Sequence, residues 1–97
     1  MKESEIQKTI IAWLEWNKFF HYRQNTGAFK RDDHFYRFGD VGAPDIVCVI
    51  DGIYLGIEVK TAKGKQSPAQ KDFQRRLEKA GGKYILAYSL EDVIKNL

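Results

Sequence analysis

No apolar run in the 97 residues approaches the roughly 18–20 that a membrane span needs. The start, Met1-Lys2-Glu3-Ser4-Glu5, lacks the basic-then-apolar layout of a signal peptide. A single cysteine, Cys48, excludes an intramolecular disulfide. Set between Val47 and Val49, it reads as a small buried apolar residue in a reducing cytoplasm. The two histidines, His21 and His34, have no second ligand at a metal-binding spacing, so neither is assigned to a metal. Internal repeats and low-complexity stretches are missing too. What remains fits one domain, 1–97, with no room for a second. Its 43% apolar and 13% aromatic residues are enough to bury a core, and its 30% charged residues suit a soluble surface.

The net charge of +3 hides an asymmetry. Lys60, Lys63, Lys65, Lys71, Arg75, Arg76, Lys79 and Lys83 face only Asp72 and Glu78, so 60–83 carries +6 and the rest of the chain −3. A basic segment of this kind suits a ligand with a phosphate backbone. Arg75, Arg76 and Lys79 also fit a solvated helix face. Lys63 and Lys65, in a Gly-containing turn, are the better phosphate contacts.

Along the chain, Ile6, Ile10, Trp13 and Leu14 mark an apolar stripe at helical spacing over 4–17. Glu3 projects to the stripe's side of that helix, where it either complements the helix dipole or reaches inward. A first strand spans 19–25 and ends at Thr26-Gly27. A loop is expected over 28–42, with Lys30, Arg31, His34, Tyr36 and Arg37 among Phe29, Phe35 and Phe38. That mixture suits a segment lying against nucleic acid, or a surface loop anchored by its Phe residues. Ser67-Pro68-Ala69-Gln70 opens a helix with Ser at N-cap, Pro at N1 and Gln at N3 of a capping box, which accounts for Gln70 without any catalytic role. Gly81-Gly82 stops that helix, 83–88 is a further strand, and a short helix begins at Ser89.

The centre of the chain carries most information. Asp51-Gly52 lies between Ile46-Val47-Cys48-Val49-Ile50 and Ile53-Tyr54-Leu55-Gly56-Ile57, a strong two-residue hairpin signal. In such a hairpin Ile50 faces Ile53, paired numbers sum to 103, and Asp45 lies across from Glu58. Period-2 pleating puts Lys60 on the same face. Directly opposed carboxylates about 5 Å apart destabilise a strand pair, and apolar neighbours worsen the conflict by removing water. A divalent cation would resolve it, because Mg²⁺ is commonly held by one or two carboxylates plus waters and phosphate oxygens. The alternative is a strand-end cap at Asp45 beside a solvated Glu58–Lys60 stripe. The whole order, α-β-β-β-α-β-α, predicts an α/β fold with a mixed four-stranded sheet flanked by helices, its last strand parallel to the Glu58 strand.

Pro44-Asp45 followed by Glu58-Val59-Lys60 resembles the signature of restriction-endonuclease-like nucleases: Pro-Asp, a spacer, then (Asp/Glu)-x-Lys. Glu3-Ser4-Glu5-Ile6-Gln7, Asn25-Thr26-Gly27, Gly42-Ala43-Pro44-Asp45, Ser67-Pro68-Ala69-Gln70 and Tyr88-Ser89-Leu90-Glu91-Asp92-Val93 are similar, in order over essentially the whole chain, to the VRR-NUC family. This is the virus-type replication and repair nuclease domain. The resemblance implies the restriction-endonuclease-like αβββαβ(α) core and metal-dependent hydrolysis of DNA phosphodiesters with Mg²⁺ or Mn²⁺. Asp45 and Glu58 match the metal-binding pair, with the Val59 carbonyl as a further ligand. Lys60 matches the catalytic lysine, Glu3 the acidic residue of the first helix, and Gln70 the motif glutamine. Arg23, Asn25, Lys30, Arg31, Arg37, Lys63 and Lys65 are the expected DNA contacts. Small members look like phage or prophage proteins, which implies a cytoplasmic homodimer acting on branched DNA such as four-way (Holliday) junctions in DNA repair. Flaps, splayed arms and nicked DNA are the rival substrates, and a non-catalytic DNA-structure-binding module is the rival class. The 29–39 stretch has no counterpart in the family pattern.

Overall fold

A computed structural model of the protein describes residues 1–24, 27–38 and 42–97, and at 27–31 and 35–38 the backbone alone. The chain runs α1 (Glu3–Trp16), β1 (Phe20–Arg23), β2 (Gly27–Arg31), β3 (His34–Phe38), β4 (Ile46–Ile50), β5 (Ile53–Val59), α2 (Pro68–Lys79), β6 (Lys83–Ala87) and α3 (Leu90–Lys95). Four strands form one sheet in the order β1-β4-β5-β6. Its first two pairings are antiparallel and β5–β6 is parallel, giving the expected mixed sheet flanked by helices. Among the described residues no helix is long and apolar enough to cross a membrane.

The central hairpin forms as its sequence dictates. Ile50 pairs with Ile53, and the register holds through Ile46–Ile57. Asp51 (φ 52°) and Gly52 (φ 79°) both take the left-handed conformation that a two-residue turn of the right twist requires. Alternation then sorts the side chains. Ile46, Cys48, Leu55, Ile57, Val59, Ile85 and Ala87 pack with Ile6, Ile10 and Leu14 of α1 and Val93 of α3. Asp45, Val47, Gly56 and Glu58 belong by the same alternation to the opposite face, towards α2.

One stretch departs from expectation. Residues 28–42 were expected as a loop, yet β2 and β3 form a second hairpin, a separate two-stranded sheet in which Arg31 pairs with His34. Asp32 (φ 51°) and Asp33 (φ 63°) supply both left-handed turn positions. Asp tolerates that conformation through its short polar side chain, but signals it more weakly than Asp-Gly.

α2 is built on its own cap and on two close backbone approaches. Ser67 Oγ accepts from Gln70 N–H (3.1 Å), and Gln70 Oε1 accepts from Ser67 N–H (2.9 Å), closing the capping box. A Cβ added at Gly42 would lie 2.2 Å from the Ala69 carbonyl oxygen, and one at Gly56 would lie 2.6 Å from Pro44 Cγ. The first turn of α2 therefore rests on Gly42, and Pro44 covers Gly56. These contacts lock 42–45 between helix and sheet. Gly42→Ala must displace α2, and we expect a loss of about 1–3 kcal/mol, the usual cost of overpacking, measured by denaturant unfolding. A substitution that leaves the midpoint unchanged would contradict this packing.

Candidate functional site

The C-terminal end of β5 and the N-terminal end of β4 meet at Asp45. Beyond Ile46–Ile57 the register places Asp45 opposite Glu58 and Pro44 opposite Val59. Val59 N–H does not use a main-chain acceptor here; it donates to Asp45 Oδ2 at 2.8 Å. The Asp45 main-chain carbonyl accepts from Gln24 N–H (2.8 Å), which ties the residue to the β1 side as well. Lys60 N–H donates to the Ala87 carbonyl (3.0 Å) on the β6 side. In a planar trans peptide the preceding carbonyl points the opposite way, so Val59 C=O faces the Asp45 side. Two carboxyls and one main-chain carbonyl thus converge at one end of the hairpin.

Electrostatics sharpen the picture. Glu58 is the buried charged side chain of this core, only 3% exposed. Burial pushes its carboxyl up to about 8, the charge of Asp45 and a hydrogen bond between the two carboxyls add to the effect, Lys60 opposes it, and Glu3 adds slightly. A carboxyl–carboxyl hydrogen bond needs one proton, and the direction of the shift places it on Glu58. Glu3 sits exposed in the first turn of α1, and its charge still adds to the Glu58 shift. The site therefore holds more negative charge than Lys60 offsets.

The remaining expected residues divide. Gln70 is engaged through Oε1 in the capping box. Lys63 and Lys65 are exposed on the turn that follows Lys60. Arg23 is exposed, and its Nη2 donates to Gln7 Oε1 (3.1 Å) on α1. Lys30, Arg31 and Arg37 lie on the β2–β3 hairpin, where their side chains are outside the described residues, as is the whole of Asn25. On α2, Asp72 pairs with both Arg75 and Arg76, and Arg76 lies over the Phe73 ring (5.4 Å), which suits a solvated helix face. Among the described residues no group of three His, Cys, Asp or Glu side chains is arranged to hold a metal ion. A cation here would rest on the two carboxyls, the Val59 carbonyl and oxygens from water or a bound phosphate, the open ligand set that suits Mg²⁺.

Tyr84 belongs to no motif in the sequence. It lies on β6 opposite Gly56, is 7% exposed, and its hydroxyl has no hydrogen-bond partner among the described residues. Burial, opposed by Gln66 and reinforced by the charges of Glu58 and Asp45, pushes it up to about 12. The available signal was a Gly two residues before a strand carboxylate, which leaves space for a large neighbour.

The Glu58 shift has a pH signature in metal-free protein. The folded state holds a proton that the unfolded chain releases near the ordinary value of 4.5. Stability is therefore fullest below about pH 4.5 on this group's account and falls as pH rises towards about 8, by roughly 5 kcal/mol at most. Glu58→Gln should abolish that slope in denaturant unfolding between pH 5 and 8. An equal slope in the variant would place the ionisation elsewhere.

Neither a protein-family model nor a curated protein sequence matches the chain. Solved structures do. One described as a VRR_NUC domain protein aligns with a TM-score of 0.75 at 22% identity, over 98% of this chain and 84% of its own. Another, described as a VRR_NUC domain, aligns with a TM-score of 0.69 at 22% identity, over 96% of this chain and 90% of its own. The resemblance read from the sequence is thus borne out in the fold: this chain has the architecture of VRR_NUC domains.

Proposed function

We propose that the chain is a VRR-NUC-type endonuclease that hydrolyses DNA phosphodiester bonds with Mg²⁺ or Mn²⁺. The observation that carries this reading is the carboxyl pair of half-buried Asp45 and buried Glu58, formed across the hairpin with Lys60 next on the same face. A pure binding module has no use for opposed carboxyls in a core, where each costs solvation. Asp45, Glu58 and the Val59 carbonyl would hold the cation, which when bound supplies Lewis acidity and charge neutralisation at the scissile phosphate. Its uptake must release the Glu58 proton, because a carboxyl binds metal as the carboxylate.

The chain's own groups do the rest. The Val59 N–H bond fixes the Asp45 carboxylate, so little ordering remains to be done when substrate arrives. Lys60 either orients the attacking water as an ammonium or, entering as the neutral amine, takes its proton; in both cases the ammonium then offsets negative charge gathering on the phosphoryl oxygens. Glu3 and Gln70 complete the surroundings through water, with Gln70 acting from its place in the capping box. Lys63 and Lys65 receive the flanking backbone phosphates, and Arg23, Asn25, Lys30, Arg31 and Arg37 extend that path. One such site cuts one strand. Paired incisions across a four-way junction therefore require two sites, which a homodimer provides.

Labelled four-way junctions, flaps, splayed arms, nicked and plain duplexes, incubated with Mg²⁺ or Mn²⁺, test this. Wild type should cut a branched substrate, and Lys60→Ala should be slower by at least about 10²-fold, the usual effect of removing a preorganised charge. Symmetric paired nicks confined to the junction, together with a dimeric mass in solution, would select the resolvase form. No metal-dependent cleavage of any of these DNAs would overturn the enzyme reading.

A further inference from the structure

Tyr84 is a buried polar side chain that the mechanism above leaves unused. It lies on β6 opposite Gly56. Paired residues of neighbouring strands share a face, so its ring stands on the α2 side, with Glu58 at the diagonal position. Diagonal neighbours are within reach of long side chains, and Gly56 puts no side chain between them. The hydroxyl is buried without an acceptor among the described residues. Gln66 is close enough to polarise it but does not stand at hydrogen-bond geometry, and its own Nε2 donates to Gln74 Oε1 (2.9 Å) on α2. A buried hydroxyl left without a partner is rare and costs about 1–3 kcal/mol. A mere filler at this position would be better as Phe.

We propose that Tyr84 is a positioning residue for Glu58: its hydroxyl donates, through one buried water, to the Glu58 carboxylate and holds it in the rotamer that meets a cation. The water has the polar partners such a site needs, namely the Tyr84 hydroxyl, the Glu58 carboxyl and the Gln66 carboxamide. The arrangement matches the general way in which a hydrogen-bonded neighbour orients a metal-ligating carboxylate. It rests on the proposed metal site, but the Tyr84–Glu58 link itself can be read without metal.

Tyr84→Phe removes one oxygen and keeps the ring. Calorimetric titration with Mn²⁺ alone should show affinity about 10-fold weaker than wild type, the lower end of what such neighbours contribute. In metal-free protein Tyr84→Phe should lower Tm by about 5 °C. In a Glu58→Leu background, which removes the acceptor at similar volume, the same change should leave Tm unmoved or raise it. Unchanged Mn²⁺ affinity with an unchanged or higher Tm in the wild-type background would overturn the proposal, as would coupling to Gln66→Ala and none to Glu58→Leu. A wild-type protein that takes up no Mn²⁺ would instead sink the metal-site reading, and the metal-free cycle would still decide the Tyr84–Glu58 link.

Discussion

Where β4 runs out of pairing, the Asp45 carboxylate takes the Val59 N–H that a main-chain carbonyl would otherwise accept. The rest of the structure depends on this substitution. It ends the β4–β5 ladder without leaving a buried donor unpaired, a deficit that would itself cost about 1–3 kcal/mol. It also aims Asp45 at the end of β5, beside Glu58, and leaves the Val59 carbonyl directed the same way. Pro44, covering Gly56, brings a residue without an N–H to the point where the ladder stops. Gly42 lets the first turn of α2 close over the segment. A short stretch of four residues therefore serves at once as strand terminus, helix platform and side-chain mount.

Around that mount the two faces of the sheet are unequal. The face towards α1 and α3 is closed by Ile10, Leu14, Ile46, Ile57, Val59 and Val93, all with almost no exposure. The α2 face is thinner, since no residue of α2 is fully buried. It holds the polar groups: Asp45, Glu58, Tyr84 and, at its rim, Gln66 and Gln74. Burying a carboxyl there is costly, and among the described residues no close ion pair offsets it. It shares a proton between two acids instead. An arrangement of this kind favours whatever supplies positive charge at that spot, which is the physical ground for reading it as a site.

Much of this was legible in the residues, for definable reasons. Asp51-Gly52 states its turn type outright, and once the turn is known the pairing of Asp45 with Glu58 follows by counting. Ser67, Pro68 and Gln70 announce a helix start through local hydrogen bonds, which depend on nothing distant. What escaped depends on weaker local signals or on distant contacts. Asp32-Asp33 makes the same kind of turn as Asp51-Gly52 without a glycine to declare it. Helical projection puts Glu3 on the inward side, yet its side chain sits exposed and its charge adds only slightly to the Glu58 shift. The environment of Tyr84 depends on β6 lying parallel to β5 with Gly56 opposite, a register set by packing through α2.

The parallel pairing of β6 separates two events in time. β4 and β5 are joined by two residues and can meet within microseconds, whereas β6 reaches β5 only after the turn at 60–67 and the whole of α2 have been traversed. In the bare hairpin Asp45 and Glu58 are still in water, where their repulsion is weak. Dehydration of Glu58 waits for β6 and α2 to dock. The electrostatic cost of the site thus belongs to the docking of β6 and α2 and not to the closing of the hairpin that carries the carboxyls.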